Sequence, residues 1–278
     1  MKYLMIVVLT TLSISAAAGE FSFKPHRPFL SQQTEYISAA LATPTAMSEC
    51  MVDTGARFSI GKDSVFGHLE KIGQTPGGGI SNMNLMTDLV QTDISVGDWK
   101  IPQAVVGRSH RIPYECLIGN DFFIGRAFTI NFKTNRISEE ESSAIVTRPL
   151  DVYLSDRGGH FGFAVQIAKY STNSIFDTGS SHTVIDQKIV DLNPADFKFV
   201  KDLSATDGNG QKIKVSLYQL KSFQFGTVEL KNIQVLTLDL SPLTEKISGV
   251  HVVFGLDIIQ NFKWSFDTKS KTWSHETP

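Results

Sequence analysis

Residues 50–60 of this chain return, altered but recognisable, in its second half. Cys50-Met51-Val52-Asp53-Thr54-Gly55-Ala56 is followed by Ser59-Ile60, and Ser174-Ile175-Phe176-Asp177-Thr178-Gly179-Ser180 by Thr183-Val184-Ile185. Further pairs follow in the same order: Val96-Gly97-Asp98 with Phe225-Gly226-Thr227, then Leu117-Ile118-Gly119-Asn120-Asp121 with Val253-Phe254-Gly255-Leu256-Asp257. Each copy closes alike, on Phe128-Thr129-Ile130-Asn131-Phe132 and Phe262-Lys263-Trp264-Ser265-Phe266. The offset between copies grows slowly along the chain, as loop insertions in the second copy would make it. With each residue at about one in twenty, a given triplet is expected roughly 0.03 times in a chain this long. Two Asp-Thr-Gly triplets with matching surroundings therefore read as an internal duplication, and the fold must contain two similar units.

The chain has 278 residues, 41% hydrophobic and 19% charged, which is ordinary for a globular protein of one large or two small domains. A net charge of -2 offers no attraction to nucleic acid or to an anionic membrane. Lys2, the apolar and hydroxylic run from Tyr3 to Ile14, and the small residues Ala16-Ala17-Ala18-Gly19 have the pattern of a cleavable signal peptide over residues 1–19. The run is short for a membrane anchor. A periplasmic or secreted protein without a membrane span after cleavage is therefore expected. The histidines are scattered, and two cysteines cannot complete a structural zinc site, so no metal and no cofactor is expected.

Between the motifs, Thr129–Phe132, Phe161–Ile167, Val215–Leu220 and Ile233–Leu238 are rich in apolar and β-branched residues and read as strands. Asp207-Gly208-Asn209-Gly210 is a hairpin turn signal. Helical signals are few: short segments at Phe122–Ile124 and Ile258–Gln260, just after the second glycine of each copy. The acidic, then serine-rich stretch Ser138–Pro149 suits a linker between an N-terminal lobe, 20–142, and a C-terminal lobe, 143–278.

Two Asp-Thr-Gly triplets, each followed about 66 to 78 residues later by two apolar residues and a glycine, resemble the retropepsin and pepsin group of aspartic peptidases. The resemblance covers nearly the whole mature chain. It implies an all-β fold, two-lobed and internally duplicated, of the closed-barrel acid-protease type with few short helices. It also implies an aspartic endopeptidase whose catalytic pair is Asp53 and Asp177 and whose partner is a polypeptide substrate. The loops around that pair would be supported by Thr54, Gly55, Ala56, Thr178, Gly179 and Ser180, with Gly119 and Gly255 on the strands that thread beside them. Each chain carries both aspartates, so a monomer is expected. The other reading is a catalytically weak or inactive member of the same fold acting as an exported peptide- or protein-binding module. Arg57, beside the first motif, is the residue that raises it, because a cation there would disturb proton sharing.

The resemblance also implies finer features. In pepsin-like enzymes a hydroxyl after the triplet bonds the carboxylate, so Ser180 is expected to favour the charged form of Asp177. Ala56 at the first site resembles retroviral proteases and points to a mildly acidic optimum. A substrate flap is expected at Gln74–Ile80, with its tip at Gly77, Gly78, Gly79 and Ile80, because glycine lets backbone approach a peptide closely. The matching turn at Asp207–Gly210 is either a second flap or, the reading favoured here, a surface turn. The fold places Cys50 and Cys116 on neighbouring strands, as a disulfide or as two buried thiols.

Overall fold

The computed structural model describes residues 19–27, 33–79, 85–139, 147–154 and 158–277. The signal segment, apart from Gly19, and the proposed lobe boundary lie outside them. The described chain is mostly β-strand, with a few helices of three to six residues. Alternation explains the strands. In Leu85–Val96, for example, Thr92, Ile94 and Val96 are buried while Gln91 and Asp93 between them are exposed.

Six strands of the first half pair into a closed ring. From Tyr36–Ala42 it runs through Met47–Val52, Cys116–Ile118, Ile60–Gly61, Trp99–Arg108 and Leu85–Val96 back to Tyr36–Ala42. Six strands of the second half close in the same way: Ala164–Ile167, Tyr170–Phe176, Val250–Phe254, Val184–Asp186, Val228–Leu238 and Lys212–Phe225. The pairing directions correspond as well. Met47–Val52 with Cys116–Ile118, and Tyr170–Phe176 with Val250–Phe254, are parallel. So are Ile60–Gly61 with Trp99–Arg108, and Val184–Asp186 with Val228–Leu238. In each ring one long strand carries an extra partner that projects as a hairpin, Lys71–Gly77 in the first and Phe197–Thr206 in the second.

A third sheet of six strands joins the halves, with Ala127–Asn131 pairing antiparallel to Lys263–Asp267 at its centre. Its buried aromatics continue into the main core. Phe266 packs on Phe128, Phe161 and Phe176 at centroid distances of 5.4, 5.0 and 4.7 Å, and Phe163 stacks on Trp273 at 4.1 Å. Such rings bury large apolar areas and bind the layers by shape as well as area.

Three sequence expectations shift. The stretch Phe161–Ile167 is two strands, Gly159–Gly162 and Ala164–Ile167, because the chain turns where Phe163 exchanges hydrogen bonds with Ser174. The short helices begin directly after their glycines, as a 3₁₀ turn at Asn120–Phe122 and an α turn at Leu256–Ile259. Helices at Asp63–Phe66, Gln187–Leu192 and Ser241–Thr244 went unanticipated, being too short to show a period.

Candidate active site

Each Asp-Thr-Gly loop leaves the end of a strand and is fixed by its neighbour. Asp53 N–H donates to Ile118 O at 2.9 Å, and Asp177 N–H to Phe254 O at 3.0 Å. Ala56 O accepts from Asn120 N–H at 2.9 Å, and Ser180 O from Leu256 N–H at 2.8 Å. Gly119 and Gly255 sit where the two segments touch. A Cβ on either would lie 2.3 Å from backbone carbon, of Phe58 or His182 respectively, so only glycine fits.

The two loops grip each other through their threonines, both fully buried. The Thr54 hydroxyl donates to Phe176 O and the Thr178 hydroxyl to Val52 O, each at 2.8 Å. Each hydroxyl oxygen also accepts from the other threonine's N–H, at 3.0 and 3.1 Å. Both hydroxyls and both N–H groups in this buried knot are used, which makes it rigid.

That knot brings the carboxyls of Asp53 and Asp177 within hydrogen-bonding reach of each other. A Cβ on Gly55 would stand 2.4 Å from Asp177 Cγ, and one on Gly179 2.5 Å from Asp53 Cγ, so each carboxyl lies over the opposite loop's glycine. Asp53 Oδ1 accepts from Gly55 N–H and Ala56 N–H at 2.9 Å each, and Asp177 Oδ1 from Gly179 N–H at 2.8 Å. Burial raises both acids. Asp53 is raised well above the carboxylate range by burial and then by the charge of Asp177. Asp177 is raised by burial too, but N–H bonds from Gly179, Ser180 and Gly55 and the proton of Asp53 hold it down. Two carboxyls this close cannot both ionise, so the pair shares one proton.

Ser180 does not act as expected. Its hydroxyl donates to His182 O at 2.7 Å, so the Asp177 charge is favoured by backbone N–H groups instead. Arg57 also turns elsewhere: it donates to Pro76 O and lies over the Phe58 ring, 5.7 Å from its centroid. It bears instead on His160, held down to about 4 by burial and then by this cation.

Two further aspartates brace the site. Asp121 accepts from Ser59 N–H and hydroxyl at 3.0 and 2.7 Å, and that hydroxyl accepts from Gly119 N–H at 3.1 Å. Asp257, Thr183 and Gly255 repeat the arrangement at 2.9, 2.8 and 3.1 Å. Their signal was present in the sequence, as an aspartate two residues after each glycine, but carried no role there. Asn120 adds an amide bond to Thr54 O at 2.6 Å.

The Lys71–Gly77 and Leu85–Val96 hairpin carries Gly77, Gly78 and Gly79; Ile80 lies outside the described residues. Gly79 packs against the turn at 207–210, where its Cβ would meet Asp207 Oδ2 at 2.7 Å and Asn209 N at 3.0 Å. That turn is therefore no isolated surface feature but touches the first hairpin. Cys50 and Cys116 form a disulfide between adjacent strands. The disulfide, and the lack among the described residues of any helix long and apolar enough to cross a membrane, are compatible with an exported protein.

A comparison with curated proteins finds no match. Residues 163–258, which hold the second Asp-Thr-Gly loop and Gly255 but not the first loop, match the family model described as aspartyl protease.

Proposed function

We propose that the protein is an aspartic endopeptidase, two-lobed by internal duplication, in which Asp53 and Asp177 activate water against a peptide bond. The observation that carries this is the reciprocal Thr54–Thr178 grip, which sets each aspartate's carboxyl over the opposite loop's glycine. The matching ring topologies support the duplication, and the aspartyl-protease match over 163–258 supports the chemistry. The ionised Asp177 takes a proton from water as the water oxygen attacks the carbonyl carbon, and Asp53 gives its proton to the carbonyl oxygen. A tetrahedral diol results. The C–N bond then breaks as the leaving nitrogen takes up the proton held by Asp177 and one diol hydroxyl returns its proton to Asp53, which restores the starting pair, and no acyl-enzyme forms.

The substrate is a polypeptide bound extended between the loops and the two hairpins. One chain supplies both aspartates, so the active species is a monomer, and the leader and disulfide suit periplasm or secretion. Arg57 engages Pro76 and not Asp53, so it is no obstacle to a shared proton. The test is digestion of a denatured protein mixture from about pH 3 to 7 by wild type, Asp53→Asn and Asp177→Asn. A bell-shaped profile with a mildly acidic maximum, lost in both variants, is expected. Activity that survives either substitution sinks the shared-pair mechanism.

A further inference from the structure

The strands beneath the two aspartates carry apolar clusters that correspond by position but differ in chemistry. On the Asp177 side, Ile175 and Val253 are buried beside Val184, with Leu240, Leu243 and Ile247 around them. Its one aromatic, Tyr153, has its hydroxyl buried. On the Asp53 side the equivalents are Met51, Leu117 and Ile60, each at the same distance from its motif. Around them lie Ile112 and two aromatic rings: Tyr36 and Tyr114 are half-buried in one cluster with Ala56, whose N–H bonds Asp53.

This aromatic wall is held in place and carries a negative rim. Tyr114 lies two residues before Cys116, which is tied to Cys50 beneath the Asp53 loop. Its ring meets Tyr36 at 5.2 Å, and Tyr36 stacks on His26 at 4.2 Å and 9°. His26 is tethered in turn through Ser38 at 2.7 Å, whose hydroxyl donates to Glu49. Glu35, next to Tyr36, is exposed, and among the described residues no basic side chain pairs with it. Burial pushes the Tyr114 phenol up, and the charge of Glu35 pushes it further, ahead of Tyr36 and Asp53.

We infer that Tyr36, Tyr114 and Glu35 form a subsite selecting a cationic side chain, lysine or arginine, at the peptide position lying against the Asp53 loop. The inference rests on the cleft being a peptide site. Tyrosine faces attract a cation and cover its aliphatic stem, and a carboxylate at the rim adds charge pairing.

The test uses peptides of about eight residues carrying lysine or norleucine at each position in turn, with binding and cleavage measured separately at low salt. At one position lysine should be preferred by about tenfold in binding and in kcat/KM. The ratio should fall toward one in Glu35→Gln and Tyr114→Leu, persist in Tyr114→Phe, which keeps the ring, and shrink with added salt. Glu35 is exposed, so Glu35→Gln tests the idea without endangering the fold. Equal binding of all peptides by wild type, or a preference untouched by Glu35→Gln and Tyr114→Leu, overturns the inference. A lysine preference in binding without any cleavage supports the subsite and defeats the peptidase reading instead.

Discussion

Around Asp53, one carboxylate oxygen takes N–H bonds from Gly55 and Ala56; around Asp177, the corresponding oxygen takes one from Gly179, while the Ser180 hydroxyl points away to His182 O. Counting these bonds alone would make Asp53 the stronger acid. The pair does not follow that count, because burial raises both acids and the charge of Asp177 raises Asp53 further. The comparison teaches that the two acids cannot be understood loop by loop. Each loop sets the other's carboxyl, and the proton's position belongs to the pair.

The largest expected effects come from that crossing. Gly55→Ala and Gly179→Ala each drive a methyl into the opposite carboxyl, at 2.4 or 2.5 Å from its Cγ. Overpacking of this kind costs about 1–3 kcal/mol. On the proposed mechanism, displacing either carboxyl by about 1 Å should cost about 100-fold in kcat. Near-wild-type kcat in either variant, measured on folded protein by circular dichroism and peptide cleavage, would refute the close approach of loop and carboxyl.

Next comes the disulfide, which one ring has and the other lacks. Cys50–Cys116 closes a loop with a sequence separation of 66. In the chain-entropy account such a closure stabilises by about 4 kcal/mol. The second ring has Ser174 and Val252 in these places, and the Ser174 hydroxyl donates to Phe163 O at 2.8 Å. Reduction should therefore lower the urea midpoint and loosen the first ring ahead of the second. Hydrogen exchange that rises equally in both rings would remove this asymmetry.

A smaller effect concerns the bracing acids. Burial raises Asp121 from the ordinary aspartate value of 3.8 to about 6, against the bonds from Ser59. The folded state therefore holds a proton that the unfolded state has lost, so this group's contribution falls as pH rises from about 4 to about 6. The span corresponds to about 2–3 kcal/mol. Asp257 is raised in the same direction, again by burial first. Stability measured against pH should decline across this window, and Asp121→Asn should flatten part of the decline. An unchanged slope would mean Asp121 stays ionised throughout.

Much of this arrangement was legible in the sequence, because the repeated motifs supply two copies of each clue. Thr54, Thr178, Gly119 and Gly255 stood at matched positions, and their bonds match to within a few tenths of an ångström. What was not legible depends on side-chain direction. A hydroxyl after the triplet has one proton and several acceptors nearby, and nothing in the local sequence says that His182 O wins. Likewise Arg57 is long enough to reach either Asp53 or the hairpin, and Pro76 O is 19 residues away along the chain. The meeting of Gly79 with the 207–210 turn joins segments from different halves, so neither half's pattern encodes it.

Ser180 offers the finest test of the comparison, since it is where the two loops differ by a single hydroxyl. If that hydroxyl tuned Asp177, Ser180→Ala would raise the acidic limb of the pH–rate profile and make the second loop behave like the first. Its bond runs to His182 O, so the expected outcome is different. Loss of one partly exposed hydrogen bond should cost about 1 kcal/mol of stability and leave both limbs of the profile where they were. The Asp177 charge would still be held by the N–H groups of Gly179, Ser180 and Gly55, which alanine retains. A shift of the acidic limb by half a unit or more would show that the hydroxyl turns to the carboxylate when substrate is bound, and that the loops differ in chemistry as well as in packing.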